Sequence, residues 1–328
     1  MILTVTLNLA LDVTYQVPGV DWDGVNRVSA VHRRAGGKGV NVARVLAALG
    51  RDVLVTGLAG GPTGEAVEAD LRAAGLPAAL HPIAGDSRTT LTVSDLPAPG
   101  TTPPAPGGPG AAPALGGPGA ADDSSRTALF NEPGPEVTAV ELAGFLRHFA
   151  SLLDAADAVV LSGSLPRGVP ADTYATLAAV ADGKGVPAIV DADGDPLRHA
   201  PKGRPAIVKP NAEELARAVP GGGPAEGARA LRGQGAQAVV VSMGADGLLA
   251  VTGEGTFRAR MPYTVRGNPT GAGDSLVAGL ALGLVEADPW PDRLRRAAAL
   301  GAAAVATPVA GDFDPDVYAD IHPQIIIT

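Results

Sequence analysis

The sequence predicts an α/β fold in which a mostly parallel sheet lies between helices, accompanied by a small separate β-sheet. Short apolar strands alternate with helical patterns along most of the 328 residues, which is typical of parallel sheets. Hydrophobic residues make up 46% of the chain but aromatic residues only 3%, so the core must consist of Val, Leu, Ile and Ala. Two strands near the N-terminus alternate apolar and polar residues and predict the small sheet, which would suit a lid over a cleft.

In the first part of the chain, the local pattern of apolar residues predicts each strand and helix. Residues 2–7 form a β-branched run, and residues 38–49 place Val42, Val45 and Leu46 on one helical face before Gly50 ends the helix. The predicted strands are 2–7, 13–17, 25–33, 53–58 and 89–94, and the predicted helices are 38–49 and 64–74. We expect the lid strands to lie near 13–34 and 89–131.

The composition changes between Pro97 and Asp123, where Pro, Gly and Ala occupy 22 of 27 positions. Such a segment cannot form a core, so it predicts a flexible insertion at 97–123 that joins two strands. The alternative is a Pro-rich docking segment. The prolines are separated by small residues without a recurring basic anchor, which favours the insertion.

After the insertion, strands and helices alternate regularly. The predicted strands are 126–130, 158–161, 188–190, 206–208, 238–242, 248–251 and 256–260, and the predicted helices are 139–153, 172–181, 213–219, 225–232, 271–284 and 291–306. This alternation indicates a sheet covered by helices on both faces, and we expect residues 1–328 to form a single domain.

The composition also argues against several classes of function. The net charge is −9, whereas proteins that bind nucleic-acid phosphates usually carry a basic excess. The absence of Cys excludes disulfides and thiolate metal sites and fits a reducing compartment. The chain shows no secretory signal and no apolar run of bilayer length, so we expect a cytoplasmic protein with neither nucleic-acid nor membrane partners.

The strongest local motif is Gly271-Ala272-Gly273-Asp274, which directly precedes an apolar helical run. Glycines at the start of a helix allow a ligand to approach the free N–H groups, and the helix dipole favours an anion there. Asp274 could simply complement the dipole. It could also accept a proton from an attacking hydroxyl while the amides hold the transferring phosphoryl group.

A second motif, Gly36-Gly37-Lys38-Gly39-Val40-Asn41, also places glycines at a helix start. A turn into the helix would explain the glycines alone. It would not explain Lys38, because the dipole disfavours a cation at this end unless an anion is bound. Gly39 stands where a Walker A loop would have Ser or Thr, so this is a different kind of phosphate site.

Several further loops follow predicted strands. Asn211 and Glu214 match a helix capping box, and they could alternatively hold a magnesium ion through its waters. Asp12 ends the first strand and could bind two sugar hydroxyls, although Asp at this position is often a turn residue. The loops 162–166 and 242–247 could be simple turns. Arg88 could contact an anion.

Taken together, these motifs resemble the ribokinase-like sugar kinases of the pfkB family, in the branch of 1-phosphofructokinases and tagatose-6-phosphate kinases. Residues 36–41 and 271–274 carry the family resemblance, and 131–135 with 163–166 point to the sugar-phosphate branch. The resemblance implies a ribokinase-like three-layer α/β/α sandwich with a β-sheet lid. It also implies ATP and Mg²⁺ as cofactors, a sugar-phosphate substrate, and a homodimer through the lid.

The resemblance assigns roles to individual residues. Asp274 would be the catalytic base, beside an anion hole at Gly271, Ala272 and Gly273. The residues that would bind the sugar or its phosphate are Asp12, Gly37, Lys38, Asn41, Arg88, Gly163 and Ser164. Those that would bind the nucleotide are Lys209, Asn211, Ser242, Met243, Gly244, Ala245, Asp246, Gly247, Gly273 and Asp274. Asn211 and Glu214 would hold magnesium through water.

The expected reaction is the ATP-dependent phosphorylation of D-fructose 1-phosphate to fructose 1,6-bisphosphate. The family pattern has Asn and Lys where this chain has Thr90 and Thr92, which removes one phosphate contact. The alternatives are a kinase for tagatose 6-phosphate, fructose 6-phosphate or an unphosphorylated sugar, and a non-catalytic sugar-phosphate sensor. A sensor has no need of a base, so the intact Asp274 favours an enzyme.

Overall fold

The structure, a computed structural model, describes residues 1–96 and 127–328. The predicted insertion at 97–123 lies outside the described residues. Chain contacts divide the protein into a larger unit, Met1–Leu11, Ala35–Arg88 and Pro133–Thr328, and a smaller unit, Asp12–Arg34 and Thr89–Glu132.

The described strands and helices follow one another along most of the chain. The strands are β1 (Ile2–Thr6), β2 (Ala10–Pro18), β3 (Ala30–Gly36), β4 (Val53–Ala59), β5 (Ala78–Pro82), β6 (Arg88–Leu96), β7 (Thr127–Asn131), β8 (Ala158–Ser162), β9 (Ala188–Asp191), β10 (Ile207–Val208), β11 (Val239–Ser242), β12 (Leu248–Val251), β13 (Thr256–Arg260) and β14 (Ile326–Ile327). The helices are α1 (Lys38–Ala48), α2 (Gly61–Ala73), α3 (Ala139–Leu152), α4 (Thr173–Gly183), α5 (Gly194–His199), α6 (Ala212–Ala218), α7 (Pro224–Gly233), α8 (Ala272–Val285), α9 (Trp290–Val305) and α10 (Pro315–Ile321).

The larger unit is built on one sheet with the strand order β14-β13-β12-β11-β10-β9-β8-β1-β4-β5. The strands from β11 to β5 pair in parallel, and β12, β13 and β14 add an antiparallel edge. From β1, the chain first extends the sheet towards β5 and later returns to place β8 on the other side of β1. The strand order therefore reverses between β1 and β8, where open α/β sheets bind ligands at the carboxyl ends of their strands.

Alternate residues of each central strand enter two separate cores. In β1, Ile2 packs into the core formed with α1, α2, α8 and α9, whereas Leu3 and Val5 pack into the core formed with α3, α4, α6 and α7. This alternation follows from the two-residue period of a strand, whose side chains point to opposite faces. Helices thus cover both faces of the sheet, and the predicted three-layer α/β/α architecture is confirmed.

Helices α8 and α9 approach closely because small residues lie between them. A Cβ atom on Gly279 would lie 2.7 Å from the Cα of Ala297 and 3.0 Å from its backbone nitrogen. The first distance is shorter than real Cβ contacts allow and the second is tighter than most of them, so only glycine fits at position 279 without displacing α9. This packing matters for the site because α8 begins at the Gly271–Asp274 motif.

The smaller unit contains a four-stranded sheet with the order β3-β2-β6-β7. Strands β6 and β7 are antiparallel, with Ser94 paired to Thr127, so the two ends that the insertion joins lie beside each other. The prediction of a second, smaller sheet is therefore confirmed.

Most predicted elements agree with the structure to within a few residues, but some predictions were wrong. The strand predicted at 25–33 begins only at Ala30, because Asn26 folds back on Asp21: the amide of Asp21 donates to Asn26 Oδ1 at 2.7 Å. The sequence pattern did not reveal β5, α5, α10 or β14, which are short or lack a clear hydrophobic period. In the described part of the chain, no helix is long and apolar enough to cross a membrane.

We expect Gly279→Ala to lower the free energy of unfolding by about 1–3 kcal/mol, because the added methyl group must push α9 away from α8. The matched control is Gly183→Ala at the exposed end of α4, where a Cβ would meet no other atom within 4 Å. That change should leave stability the same or raise it by up to about 1 kcal/mol. Thermal unfolding of the two variants measures the difference, and equal melting temperatures would contradict the packing argument.

Candidate active site

The carboxyl ends of the central strands bring together polar residues from distant parts of the sequence. Ser162 ends β8 and Asp191 ends β9, while Lys209 directly follows β10 and Asn8 lies two residues beyond β1. All four side chains are buried. The predicted location of a site at the strand ends therefore corresponds to a buried polar cluster beside the reversal in strand order.

The Gly271–Asp274 motif forms the turn into α8. Gly271 adopts a left-handed conformation with φ of 85°, and a Cβ there would lie 2.8 Å from the Cα of Ala310. The amide of Ala272 donates to the carbonyl of Pro269 at 3.2 Å. Among the described residues, no acceptor receives a hydrogen bond from the backbone amides of Gly273 and Asp274. These two N–H groups can therefore bind an anion at the positive end of the helix dipole.

The Asp274 side chain is only 6% exposed and accepts a hydrogen bond from Asn41 Nδ2 at 2.8 Å. Burial raises the pKa of Asp274 from 3.8 to about 6, and the nearby carboxylate of Asp191 contributes to the rise. Lys38, the Asn41 hydrogen bond and Lys209 oppose it. Asp274 is therefore ionised at neutral pH, yet its pKa is much nearer to neutrality than that of an exposed carboxylate.

Asp191 is a central residue that the sequence analysis missed. Its side chain is fully buried, with Oδ1 accepting from Lys209 Nζ at 3.0 Å and Oδ2 accepting from Lys38 Nζ at 3.2 Å. Burial alone would raise the pKa of Asp191, but the two lysines outweigh burial and hold it below its usual range. One feature of the sequence could have identified it: Asp191 directly follows the short apolar run 188–190, at the end of a predicted strand in an α/β pattern.

The glycines beside Lys38 have a packing role that the sequence analysis had left open. A Cβ on Gly37 would lie 2.7 Å from Thr6 Cγ2, and one on Gly39 would lie 3.0 Å from the carbonyl oxygen of Val5. Both glycines thus allow α1 to lie against β1. Lys38 itself is partly exposed, and although burial lowers its pKa, the carboxylates of Asp191, Asp274 and Glu214 hold that pKa above its ordinary value.

Asn211 and Glu214 form the reciprocal capping box of α6. The amide of Glu214 donates to Asn211 Oδ1 at 2.8 Å, and the amide of Asn211 donates to Glu214 Oε2 at 2.7 Å. The other carboxylate oxygen of Glu214, Oε1, accepts no hydrogen bond from a described residue. One carboxylate oxygen of Glu214, whose charge also raises the pKa of Lys38, therefore remains for a further ligand.

These residues fit a magnesium ion that is bound through water. Within residues 1–96 and 127–328, no group of three or more His, Asp or Glu residues is placed to hold a metal ion directly. Magnesium commonly keeps several waters and is bound by one or two carboxylates together with phosphate oxygens. Glu214 supplies such a carboxylate, and the capping hydrogen bonds keep Asn211 and Glu214 adjacent.

A second polar group surrounds Asn8. Its Nδ2 donates to Ser164 Oγ at 3.1 Å and to the carbonyl of Pro133 at 3.3 Å, and the backbone carbonyl of Asn8 accepts from Arg88 Nε at 3.2 Å. Gly163 has φ of 103°, and a Cβ there would lie 4.0 Å from that of Lys38. Lys38 therefore lies close to the loop that follows β8.

The predicted nucleotide loop at 242–247 lies next to the Asn211 motif, because Ser242 pairs with Asn211 in an isolated parallel bridge. Gly247 has φ of 83°, and a Cβ there would overlap the carbonyl of Ala259, so the turn requires glycine. Gly244, Ala245 and Asp246 form a single helical turn between these points. The turn geometry alone accounts for the glycines, and nucleotide binding stays a prediction.

The larger unit joins six of the predicted residues into one set of contacts. Contacts or electrostatic influence connect Lys38, Asn41, Lys209, Glu214, Gly273 and Asp274, and Asp191 lies among them. Asp12 belongs to the smaller unit, on β2, and its proposed role in sugar binding stays a prediction.

Comparisons with known proteins agree with this fold. The model of the pfkB family carbohydrate kinases matches residues 6–102 and 121–316. The tetrameric inhibited form of phosphofructokinase-2 from Escherichia coli is 28% identical, with a TM-score of 0.83 over 98% of each chain. The same protein in complex with fructose-6-phosphate gives 28% identity and a TM-score of 0.79, again with 98% coverage of each chain.

A protein from Thermotoga maritima described as a possible 1-phosphofructokinase is 24% identical. Its TM-score is 0.79, over 100% of this chain and 98% of the other. At this identity, the similarity supports the shared fold alone.

We expect Asp274→Asn to stabilise the ligand-free protein at neutral pH. Because the folded-state pKa is raised, ionisation of Asp274 destabilises the folded state as the pH rises from about 4 to 6, and the full effect is present above pH 6. Asn cannot ionise and should remove up to about 3 kcal/mol of this cost. Melting temperatures of the variant and the wild type at pH 8 and pH 4.5 measure this stabilisation, and we expect the larger increase at pH 8.

The matched control is Asp172→Asn, which removes the same charge from an exposed carboxylate at the start of α4. It should change the melting temperature little at either pH. If the melting temperature of Asp274→Asn rose equally at both pH values, or did not rise at pH 8, burial of the ionised Asp274 carboxylate would not be destabilising as argued.

Proposed function

The chain belongs to the pfkB family of carbohydrate kinases, and we propose that it transfers the γ-phosphoryl group of ATP to a phosphorylated ketose, with D-fructose 1-phosphate as the first candidate. The observation that carries this proposal is the buried carboxylate of Asp274 in the same helical turn as two amides without acceptors. Phosphoryl transfer to a hydroxyl group requires a base for the proton and a site for the anionic phosphoryl group, and this turn offers both.

Asp274 would act as the general base. In the proposed step, the acceptor hydroxyl loses its proton to Asp274 while its oxygen forms a bond to the γ-phosphorus. The bond from that phosphorus to the β-phosphate oxygen breaks, and ADP leaves with its electrons. A pKa of about 6 suits this role, because the group is ionised at neutral pH and still basic enough to receive the proton.

The charge on the transferring phosphoryl group would be offset by the amides of Gly273 and Asp274 and by two ammonium groups. Lys209 Nζ lies 3.3 Å from the position that a Cβ on Gly273 would take, so this cation borders the amide pair. Lys38 adds a second cation that remains partly exposed. In a buried site these charges act with little screening, which makes them effective against the negative charge of the phosphates.

Magnesium would be held through its waters by Glu214 and Asn211, close to the nucleotide phosphates. When bound, the ion supplies positive charge that offsets the charge of the β- and γ-phosphate oxygens. The segment 242–247 would bind the nucleotide beside this motif, since Ser242 is paired with Asn211.

The phosphate already present on the sugar would be bound by Arg88 and Lys38. Arg88 contacts the backbone of Asn8, the Asn8 side chain contacts Ser164, and Lys38 lies close to the neighbouring Gly163. Asn8 Oδ1 is buried and makes no hydrogen bond with the described residues, so it is available to a sugar hydroxyl. Asn41 would provide a further hydrogen bond to the sugar.

A second candidate acceptor is fructose 6-phosphate, which is supported by the complex of the Escherichia coli phosphofructokinase-2 at 28% identity. Both acceptors give fructose 1,6-bisphosphate. Fructose 1-phosphate receives the new phosphate on its 6-hydroxyl, whereas fructose 6-phosphate receives it on its 1-hydroxyl. A coupled ADP-release assay over a panel of both fructose phosphates, tagatose 6-phosphate and neutral sugars identifies the acceptor. The proposal would be contradicted if none of the sugars in the panel stimulated ADP release.

The smaller unit exposes apolar side chains on β7, with Leu129 57% and Phe130 53% exposed. A second copy of this chain would cover such a surface and exclude it from water. The homodimer through this sheet, and the action of the sheet as a lid, stay predictions. The mass of the protein in solution tests the former.

We expect kcat/KM to fall below about pH 6 as Asp274 becomes protonated, because only its ionised form accepts the proton. Asp274→Asn should lower kcat by about 10²–10⁴ at neutral pH while ATP binding is largely kept. Steady-state rates across pH 5–9 and ATP titrations of the variant make the comparison. A variant that retains more than about a tenth of wild-type kcat would exclude Asp274 as the base.

We expect Arg88→Ala to raise KM for the sugar phosphate roughly 10- to 150-fold, since a hydrogen bond to a charged group contributes about 1.5–3 kcal/mol. KM for ATP should change little. The matched control is Arg147→Ala, an exposed arginine on α3, which should alter neither constant. An equal rise in both constants for Arg88→Ala, or a wild-type preference for a neutral sugar, would contradict the sugar-phosphate assignment.

A further inference from the structure

Asp191 connects two cations that approach the site from separate elements. Lys38 is the first residue of α1, and Lys209 follows β10, 171 positions later in the sequence. Each carboxylate oxygen of Asp191 receives one ammonium group, at 3.2 and 3.0 Å. The carboxylate itself is fully buried and therefore does not contact solvent.

The position of Asp191 is itself well determined by the backbone. It ends β9, its carbonyl accepts from the amide of Gly163 at 3.1 Å, and the amide of Lys209 donates to the neighbouring Val190 carbonyl at 2.9 Å. Lysine side chains are long and flexible, and they lose several rotamers when an ammonium group is fixed. A rigid carboxylate between them can therefore determine where both ammonium groups lie.

We propose that Asp191 is a positioning residue for phosphoryl transfer: its two carboxylate oxygens hold the ammonium groups of Lys38 and Lys209 beside Gly273 and Asp274. The inference rests on the proposed kinase function. Asp191 acts through the lysines and contacts no substrate. Both cations are in place before a phosphate arrives, so less ordering is required when it binds.

The negative charge of Asp191 has a second consequence for Asp274. The groups that face Asp274 are Asp191 on β9, Lys38 and Asn41 on α1, and Lys209 after β10. Burial and Asp191 raise the pKa of Asp274, whereas the two lysines and Asn41 lower it. If Asp191 is neutralised, both lysines remain without their counter-charge, and the carboxylate of Asp274 becomes a weaker base.

The groups that face Asp191 itself are the two lysines, Asp274 and Tyr174 of α4. The Tyr174 hydroxyl is buried and makes no hydrogen bond among the described residues. Burial raises its pKa, and the charge of Asp191 raises it further, so it stays neutral. The two lysines are therefore the cationic partners of Asp191 among these groups.

The test compares Asp191→Asn with wild type in two measurements. In the ligand-free protein, ¹³C NMR of the carboxyl groups should show a lower pKa for Asp274 in the variant. In steady-state kinetics, the fall of kcat/KM on the acid side of its pH profile (the acid limb) should move to lower pH. The value of kcat should fall on the order of 10²-fold. The matched control is Asp193→Asn, an exposed carboxylate two residues away that pairs with Arg217, and it should change neither measurement.

A purely structural role of Asp191 would lower the melting temperature without moving the pKa of Asp274 or the acid limb, and that result would overturn the proposal. If Asp191→Asn does not fold, Lys38→Met provides the opposite test: removal of one cation should raise the pKa of Asp274, and an unchanged value would overturn the proposal. The NMR measurement does not depend on turnover. A protein that phosphorylates no sugar in the panel would therefore refute the proposed function separately.

Discussion

The buried carboxylate of Asp191 lies between two ammonium groups at the carboxyl edge of the large sheet, and the central part of the larger unit depends on this interaction. Removing a carboxylate from water costs several kcal/mol unless charged partners with good geometry offset the loss. Here one partner begins α1 and the other follows β10, so the ion pairs connect the two sides of the position where the strand order reverses. A break in either pair would leave an uncompensated buried charge.

The close approach of helices to this edge depends on small residues. Gly37 and Gly39 allow α1 to contact β1, and Gly273 allows the ammonium group of Lys209 to approach the first turn of α8. A helix start that lies so near to fixed cations presents its free amides and its dipole to the same small region. The proposed phosphate binding in an acidic chain would thus follow from local geometry rather than from net charge.

The same burial that would suit Asp274 to the proposed proton transfer opposes the stability of the folded protein. A carboxylate whose pKa is raised by desolvation is destabilising at neutral pH, and the surrounding structure must compensate for it. The two cores on either side of the sheet provide this compensation through extensive burial of Val, Leu, Ile and Ala. Conflict of this kind between local stability and activity is common at functional sites.

The sequence alone determined the alternation of strands and helices, the second small sheet, the helix starts at Lys38 and Gly271, and the candidate base. Each of these depends on local patterns: hydrophobic period, glycines at a turn, or a polar residue at a strand end. Only the tertiary structure decided the strand order and the packing role of Gly37 and Gly39. It alone revealed the contact between Asn41 and Asp274, which are 233 positions apart. Asp191 was missed for the same reason, because a single Asp after a strand carries no local signal of the two lysines that the fold brings to it.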